Sequence, residues 1–232
     1  MIAEDFEVAL AKYGSDSDAV FLQRFFKTGP GEYGEGDLFI GAKVPDTRKV
    51  CREFKNLPLV EIQKLLNSPF HEHRLGAVIL LVNQFKSNQK EIYDFYLKNV
   101  YAGLVNNWDI VDSSAHQIVG GYLIDRQRDI IYELAQSEKL WEKRVAIIAT
   151  FHFIKNGDSS TTIDIAEMLL HDKHDLIHKA VGWMLREVGK RVDEAILIDF
   201  LDKYANQMPR TMLRYSIEKL PEQKRQYYLK MT

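Results

Sequence analysis

The chain has few of the residues that build disulfides, thiolate metal sites or membrane spans. Its 232 residues include a single cysteine, Cys51, which excludes an internal disulfide and a metal site built from several thiolates. The longest apolar run, Ala77 to Val82, is far too short to cross a bilayer. The acidic segment 1–7 lacks the apolar stretch of a signal peptide. We therefore expect a cytoplasmic protein with no membrane contact.

Proline and excess positive charge are scarce as well. Six prolines and 13 glycines in 232 residues leave room for long uninterrupted helices. The formal net charge is −2, so binding to nucleic acid would need lysine and arginine clustered on one face. The net charge weighs mildly against such a partner without excluding it.

Helical periodicity dominates from Val60 onward, and a longer repeat underlies it. A basic residue followed by a short apolar run occurs at Arg74, Arg144, Lys179 and Arg214, at spacings of 70, 35 and 35 residues. A fixed period of this size is typical of helical solenoids. We predict an all-α fold, a HEAT-like or ARM-type α-solenoid of antiparallel helix pairs with a concave binding face.

The repeat also predicts how the chain is organised. We expect one domain over 1–232, with irregular helices over 1–59 and regular repeats of ~35 residues over 60–232. The Gly-rich segment 28–37 carries three acids and lacks the Gly-Lys-Ser/Thr ending of a nucleotide-binding loop, so we interpret it as a surface loop. The inner helices of successive pairs are predicted near residues 70–86, 106–123, 141–155, 175–190 and 209–219.

One repeat departs from the pattern. Where a basic residue is expected, the chain has Asp109, and three residues later Asp112 replaces the apolar or small residues of the other repeats. A carboxylate at such a position needs a partner or a function. Trp108 lies four residues before Asp112 and shares its helix face. At the repeat position that follows that of Asp112, Trp183 is larger than the equivalent residues of the other repeats.

In a stack of such helices, Trp108, Asp112, Arg144 and Trp183 would line one cleft. A carboxylate there would stabilise the oxocarbenium character of a breaking N-glycosidic bond. Indole faces attract cations, and arginine holds phosphate. Structural interpretations stay open: a solenoid tryptophan is usually core, Asp112 would serve equally as a cap or ion-pair partner, and the basic residues would pair with acids of adjacent repeats.

Three segments carry a family resemblance: Asn107-Trp108-Asp109-Ile-Val-Asp112, Trp141-Glu-Lys-Arg144, and Lys179-Ala-Val-Gly-Trp183-Met-Leu-Arg186-Glu187. Together with Phe26 to Asp37 and the following Val44, Pro45 and Arg48, they resemble the DNA alkylation repair family of AlkD-like glycosylases. The resemblance implies a HEAT-like fold and excision of N3- and N7-alkylated purines, of the 3-methyladenine and 7-methylguanine type. It implies action on double-stranded DNA in base excision repair, by a monomer, with no metal or other cofactor. The base would not be flipped into a pocket.

By match to the motifs, the resemblance places catalysis on Asp112, with Trp108 and Trp183 as cleft tryptophans. Arg144 is matched to the phosphate-holding arginine, and we predict that Lys179 and Arg186 join it in binding DNA. A further cleft aromatic of the family falls on Phe25 or Phe26.

Three other functions are open from the residues. They are a non-catalytic HEAT-like module that binds damaged or branched DNA, a protein-interaction solenoid, and a metal-dependent hydrolase. The last is poorly supported, because His174 and His178 have the spacing of metal ligands but no glutamate between them. The residues named above favour the glycosylase. The accepted alkyl groups do not follow from the sequence.

Overall fold

The structure, a computed structural model, describes residues 1–231. Over this range the chain forms α-helices and no β-strand, apart from one isolated bridge between Leu38 and Phe70. The prediction of an all-α fold is confirmed. No helix within this range is both long and apolar enough to span a membrane.

The chain divides into two compact units, Met1–Ser114 and Ala115–Thr232. The helices of the first unit are α1 (Ala3–Ala11), α2 (Asp16–Phe25), α3 (Val44–Glu53), α4 (Leu59–Leu66), α5 (His71–Gln84), α6 (Gln89–Tyr101) and α7 (Trp108–Asp112). In the second unit, the π-helix His116–Gly120 is followed by α8 (Gly121–Leu123), α9 (Asp129–Gln136), α10 (Leu140–Ala149), α11 (Phe151–Lys155), α12 (Ser160–Met168), α13 (Asp175–Arg191), α14 (Glu194–Tyr204), α15 (Arg210–Ser216) and α16 (Glu222–Leu229).

Helix α5 forms the centre of the first unit. It is buried without interruption from His71 to Leu81 and packs against α3, α4, α6 and α7. Phe6 of α1 is fully buried and lies against Gly76 of α5, where an added Cβ would come within 2.5 Å of the phenylalanine ring. A glycine is therefore required for α1 to pack this closely.

The second unit shows the 35-residue period in its helix starts. Helices α10, α13 and α15 begin at Leu140, Asp175 and Arg210, each 35 residues after the one before. Helix α13 packs against both α10 and α15. Since equivalent apolar faces recur at this spacing, each helix buries its face against the next. The organisation of 1–232 as a single domain stays a prediction.

Two of the predicted inner helices are interrupted. The stretch 106–123 breaks after α7 and the stretch 141–155 breaks between α10 and α11, whereas the other three helices lie where they were predicted. At each break a hydroxyl group bonds back to the helix backbone: Ser114 Oγ donates to the Ile110 carbonyl at 2.7 Å, and Thr150 Oγ1 donates to the Ile147 carbonyl at 2.7 Å. Such bonds compete with the helical ladder and bend or end it.

Candidate active site

The short helix α7 presents Trp108 and Asp112 at the surface of the first unit. The buried Asn107 starts the helix, because its side-chain oxygen accepts the Trp108 N–H at 2.8 Å. Trp108 and Asp112 are both half-buried, and their spacing of four residues puts them on one helix face. An indole and a carboxylate thus lie side by side on a helix whose start is fixed by a buried cap.

Two phenylalanines at the end of α2 pack on Trp108 in different ways. The Phe26 ring stacks on the indole with centroids 5.3 Å apart and planes 15° apart, and it is only 6% exposed. The Phe25 ring meets the indole edge-on at 6.0 Å and is 53% exposed. Phe26 therefore supports Trp108 from the core, and Phe25 is the aromatic residue at the surface beside it.

A buried ionic network lies behind this aromatic pair. His71 Nε2 is 2.8 Å from Asp109 Oδ2, and His71 Nδ1 is 3.4 Å from Asp37 Oδ2. Asp37 also pairs with the Arg74 guanidinium at 2.6 Å. The His71 ring packs against Phe26 with the ring planes tilted by 38° and the centroids 4.5 Å apart. The network therefore links α5 to the residue that directly follows Trp108.

The network corrects the prediction that segment 28–37 is only a surface loop. Residues such as Glu32 and Glu35 are exposed and cap backbone N–H groups of the loop itself, but Asp37 is buried. The loop delivers that carboxylate to Arg74 and His71 of α5. A buried arginine needs such a partner, because leaving its charge unpaired in the core is strongly destabilising.

Charges within the network sustain one another. Burial would lower the pKa of His71, but the Asp109 carboxylate and its hydrogen bond, helped by Asp37, raise that pKa to about 9. Burial would also raise the pKa of Asp37, yet the hydrogen bond from His71 and the charge of Arg74 hold it below the usual value. His71 is consequently an imidazolium at neutral pH, and two cations balance two carboxylates.

In the second unit, Trp183 belongs to an aromatic cluster centred on Phe151. The Trp183 and Phe151 ring centroids are 5.9 Å apart, and the His116 ring meets Phe151 edge-on at 5.4 Å. Gly120 of the π-helix lies so close to α10 that an added Cβ would be 2.2 Å from the Ala149 carbonyl oxygen. This close approach positions the π-helix, and with it His116, against α10 and α11.

The three basic residues predicted to bind DNA differ in how tightly protein groups hold them. Arg144 is 4% exposed and donates to the Leu176 carbonyl at 2.5 Å, so it ties α10 to α13. Lys179 makes an exposed ion pair with Asp175 at 2.7 Å. Arg186 is held by two carboxylates, those of Glu187 at 3.0 Å and of Glu218. An ion pair as exposed as that of Lys179 and Asp175 contributes little to stability.

The two histidines with the spacing of metal ligands, His174 and His178, form hydrogen bonds with backbone groups. His174 Nδ1 accepts the Leu176 N–H at the start of α13, and His178 Nε2 lies 2.6 Å from the Asp172 carbonyl oxygen. Throughout residues 1–231, no group of three or more His, Cys, Asp and Glu side chains is arranged to hold a metal ion.

Sequence reasoning missed His71 and Phe151. The role of His71 depends on Asp37 and Asp109, which are 34 and 38 positions away in the chain, so no local motif marks it. Phe151 directly follows the helix break at Thr150. That break does not show in the periodicity of the sequence, so nothing in the sequence set Phe151 apart from the core aromatic residues.

The protein is all-helical and has an indole and a carboxylate on one short helix. Comparison with known proteins shows which family has this fold. A solved structure described as a predicted DNA alkylation repair enzyme from Enterococcus faecalis has a similar fold, with a TM-score of 0.73 and 16% sequence identity. The match covers 90% of this chain and 97% of that chain. Residues 6–220 match the family described as DNA alkylation repair enzyme, and the chain belongs to that family. A search of curated proteins finds no match.

Proposed function

We propose that this protein is a monofunctional DNA glycosylase of base excision repair. Its substrates would be cationic N3- and N7-alkylated purines, of the 3-methyladenine and 7-methylguanine type, in duplex DNA. The observation that carries the proposal is Asp112, a half-buried carboxylate one helical turn from Trp108. Membership of a DNA alkylation repair family supports the substrate class.

The proposed chemistry needs little from the protein besides a placed negative charge. The alkylated purine already carries a positive charge, so the C1′–N bond breaks with its electron pair leaving on a base that becomes neutral. No general acid is then required. Asp112 would stabilise the oxocarbenium ion on the sugar and orient the water that attacks C1′. The water loses its proton to the carboxylate or to solvent, and an abasic site remains in an uncut strand.

Aromatic residues of the first unit would recognise the cation. Indole and phenyl faces attract positive charge, by about 1–2 kcal/mol when the groups are partly desolvated. Trp108 is half-buried beside Asp112, and Phe25 is exposed next to it. We assign Phe25 as the surface aromatic residue of the first unit that would attract the cation. Trp183 is the tryptophan of the second unit to which we assign the same role. The base would be removed without entering a pocket.

The second unit would supply contacts to the DNA backbone. Lys179 would contact a phosphate from the surface, where its side chain is 40% exposed and pairs with Asp175. Arg186 and Arg144 would contribute positive charge without changing their positions, because Glu187 holds Arg186 and the Leu176 carbonyl holds Arg144. A monomer is sufficient for this arrangement.

The decisive experiment uses a duplex oligonucleotide with one 7-methylguanine. We expect the purified protein to generate a site that breaks on alkaline heating, with release of free 7-methylguanine detected by chromatography. A matched duplex with uracil should remain intact, because a neutral base is a poor leaving group without an acid. Tight binding to the alkylated or a branched duplex without base release would instead identify a non-catalytic DNA-binding module.

A further inference from the structure

Phe151, at the start of α11, has cationic groups over its ring. Lys155 Nζ lies 4.6 Å from the ring centroid and Arg191 Cζ lies 5.4 Å from it. Both basic residues are exposed, whereas Phe151 is half-buried. An aromatic ring holds such cations by its quadrupole, so the two side chains are kept at the surface in defined positions.

This cluster is short of negative charge. In residues 1–231, Lys155 forms no ion pair with a carboxylate. Arg191 Nε pairs with Glu187 at 2.6 Å, but that carboxylate is shared with Arg186 at 3.0 Å. Arg186 also pairs with Glu218, so two carboxylates are shared between Arg186 and Arg191, and within the described residues none pairs with Lys155.

Neighbouring groups show the same imbalance. Burial and the charge of Arg191 lower the pKa of Lys155. Burial and the charge of Lys155 lower the pKa of His116, to about 4, and that of His152. The groups that face Lys155 thus oppose further positive charge, and a bound anion would relieve them.

We propose that Lys155 and Arg191, held over Phe151, form a binding site for a phosphodiester of duplex DNA. The site rests on the proposed function only in taking DNA as the source of the phosphate. Duplex DNA is favoured over a free anion because the two cations are exposed at the surface over one ring, where an extended polyanion can reach both of them. The cluster also adjoins Trp183.

The test is the salt dependence of binding to an unmodified duplex. Each neutralised phosphate contributes about −0.9 to the slope of log K against log salt concentration. We expect Lys155→Gln to reduce the slope by about one and to weaken binding several-fold at low salt. Lys155→Arg should restore the slope, because it keeps the charge. Circular dichroism and thermal unfolding check that each variant is folded.

The chain offers a matched control in Lys203. Its Nζ also lies 4.6 Å from an aromatic centroid, that of Tyr204, but it faces Glu167 at 3.8 Å. Lys203→Gln should leave the slope unchanged. Equal slopes for the wild type, Lys155→Gln and Lys203→Gln would overturn the proposal. So would thermal stabilisation by inorganic phosphate that Lys155→Gln abolishes while the duplex slope is unaffected, since the site would then serve a free anion.

Failure of this proposal and failure of the glycosylase assignment are separable. The salt slope is measured on undamaged DNA and needs no base excision. If the wild type releases 7-methylguanine but Lys155→Gln leaves the slope unchanged, the glycosylase proposal stands and the phosphate-site proposal fails. If the wild type releases no base but Lys155→Gln reduces the slope, the glycosylase proposal fails and the phosphate-site proposal stands.

Discussion

His71 Nε2 lies 2.8 Å from the Asp109 carboxylate, and Asp109 directly follows Trp108 in the chain. The same imidazole packs against Phe26, and the Phe26 ring also stacks on the Trp108 indole. Trp108 is thus braced twice by one buried histidine, through its chain neighbour and through its stacking partner. Since an indole and a carboxylate must be held in place to act on a developing charge, this bracing joins the core of the first unit to the proposed chemistry.

The first prediction concerns pH. The folded-state pKa of His71 is raised to about 9, above the value of 6.5 for an unperturbed histidine. Its stabilising contribution is therefore complete below pH 6.5 and is lost as the pH rises through 9. The pKa of Asp37 is lowered, so its contribution is lost in the opposite direction, as the pH falls. We expect the free energy of unfolding to decrease between pH 6.5 and pH 9.5, as measured by urea titration.

A comparison with His71→Gln isolates this effect. The buried Cys51 thiol, whose pKa is raised to about 12, also favours unfolding at alkaline pH, so the wild-type curve alone is not diagnostic. The stability difference between wild type and His71→Gln should be large near pH 6.5 and narrow toward pH 9.5. A difference that is constant over this range would show that His71 is not charged in the folded protein.

The second prediction assigns a role to the loop that ends at Asp37. Asp37→Asn removes the countercharge of buried Arg74 and His71, and breaking such a pair costs roughly 3–5 kcal/mol. Glu35→Gln is the matched control, because Glu35 lies in the same loop, is exposed, and accepts the Gly31 N–H. It should cost less than about 1 kcal/mol. If urea unfolding shows equal losses of stability for the two variants, the segment has no structural role beyond that of a surface loop.

Much of the fold could be predicted because burial recurs with the repeat. Arg144 and Lys179 are each the fifth residue of their helix, so the 35-residue spacing of the two side chains is the spacing of α10 and α13. The helix breaks could not be predicted. Ser114 ends a helix because its hydroxyl lies 2.8 Å from the Tyr96 hydroxyl and bonds back to Ile110. Hydrogen bonds to a residue on another helix leave no trace in local periodicity.

The candidate site was predictable only where a residue type was out of place. Asp112 differs in kind from the equivalent residues of other repeats, and comparison along the period finds it. Phe25 and Phe26 are identical in type, and the distinction depends on which of the two rings is buried in the core. Helix α2 has no fully buried residue within Asp16–Phe25, so its pattern gives no inward face. Only the packing of the folded unit separates the two rings.

The third prediction uses that separation. Phe26→Ala removes a ring that is 6% exposed and stacked on Trp108, and it should destabilise the protein by about 3–5 kcal/mol. Phe25→Ala changes a ring that is 53% exposed, and its effect on stability should be within about 0.5 kcal/mol. Excision of 7-methylguanine by Phe25→Ala should slow by roughly 5-fold, corresponding to the loss of about 1 kcal/mol of cation–π attraction. Single-turnover assays and thermal unfolding measure both quantities, and the reverse order of effects would exchange the two roles.

The fourth prediction concerns the proposed catalytic carboxylate. Asp112→Asn keeps the shape of the side chain and removes its charge. If that charge stabilises the oxocarbenium ion, single-turnover excision of 7-methylguanine should slow by roughly 10²-fold or more, on the scale of lost electrostatic stabilisation at other active sites. Affinity for the duplex should stay the same or increase, because a negative charge near phosphates has been removed.

The control for this variant is Asp94→Asn, which neutralises an exposed carboxylate of α6 in the same unit, paired with Lys90 at 2.6 Å. It changes the net charge of the protein equally and should leave both rate and affinity at wild-type values. A slowed Asp94→Asn would attribute the effect to net charge. An Asp112→Asn variant with full excision would mean that the cationic base leaves without a carboxylate at Asp112. Catalysis would then lie in another residue of the protein, and the assignment of Asp112 would be withdrawn.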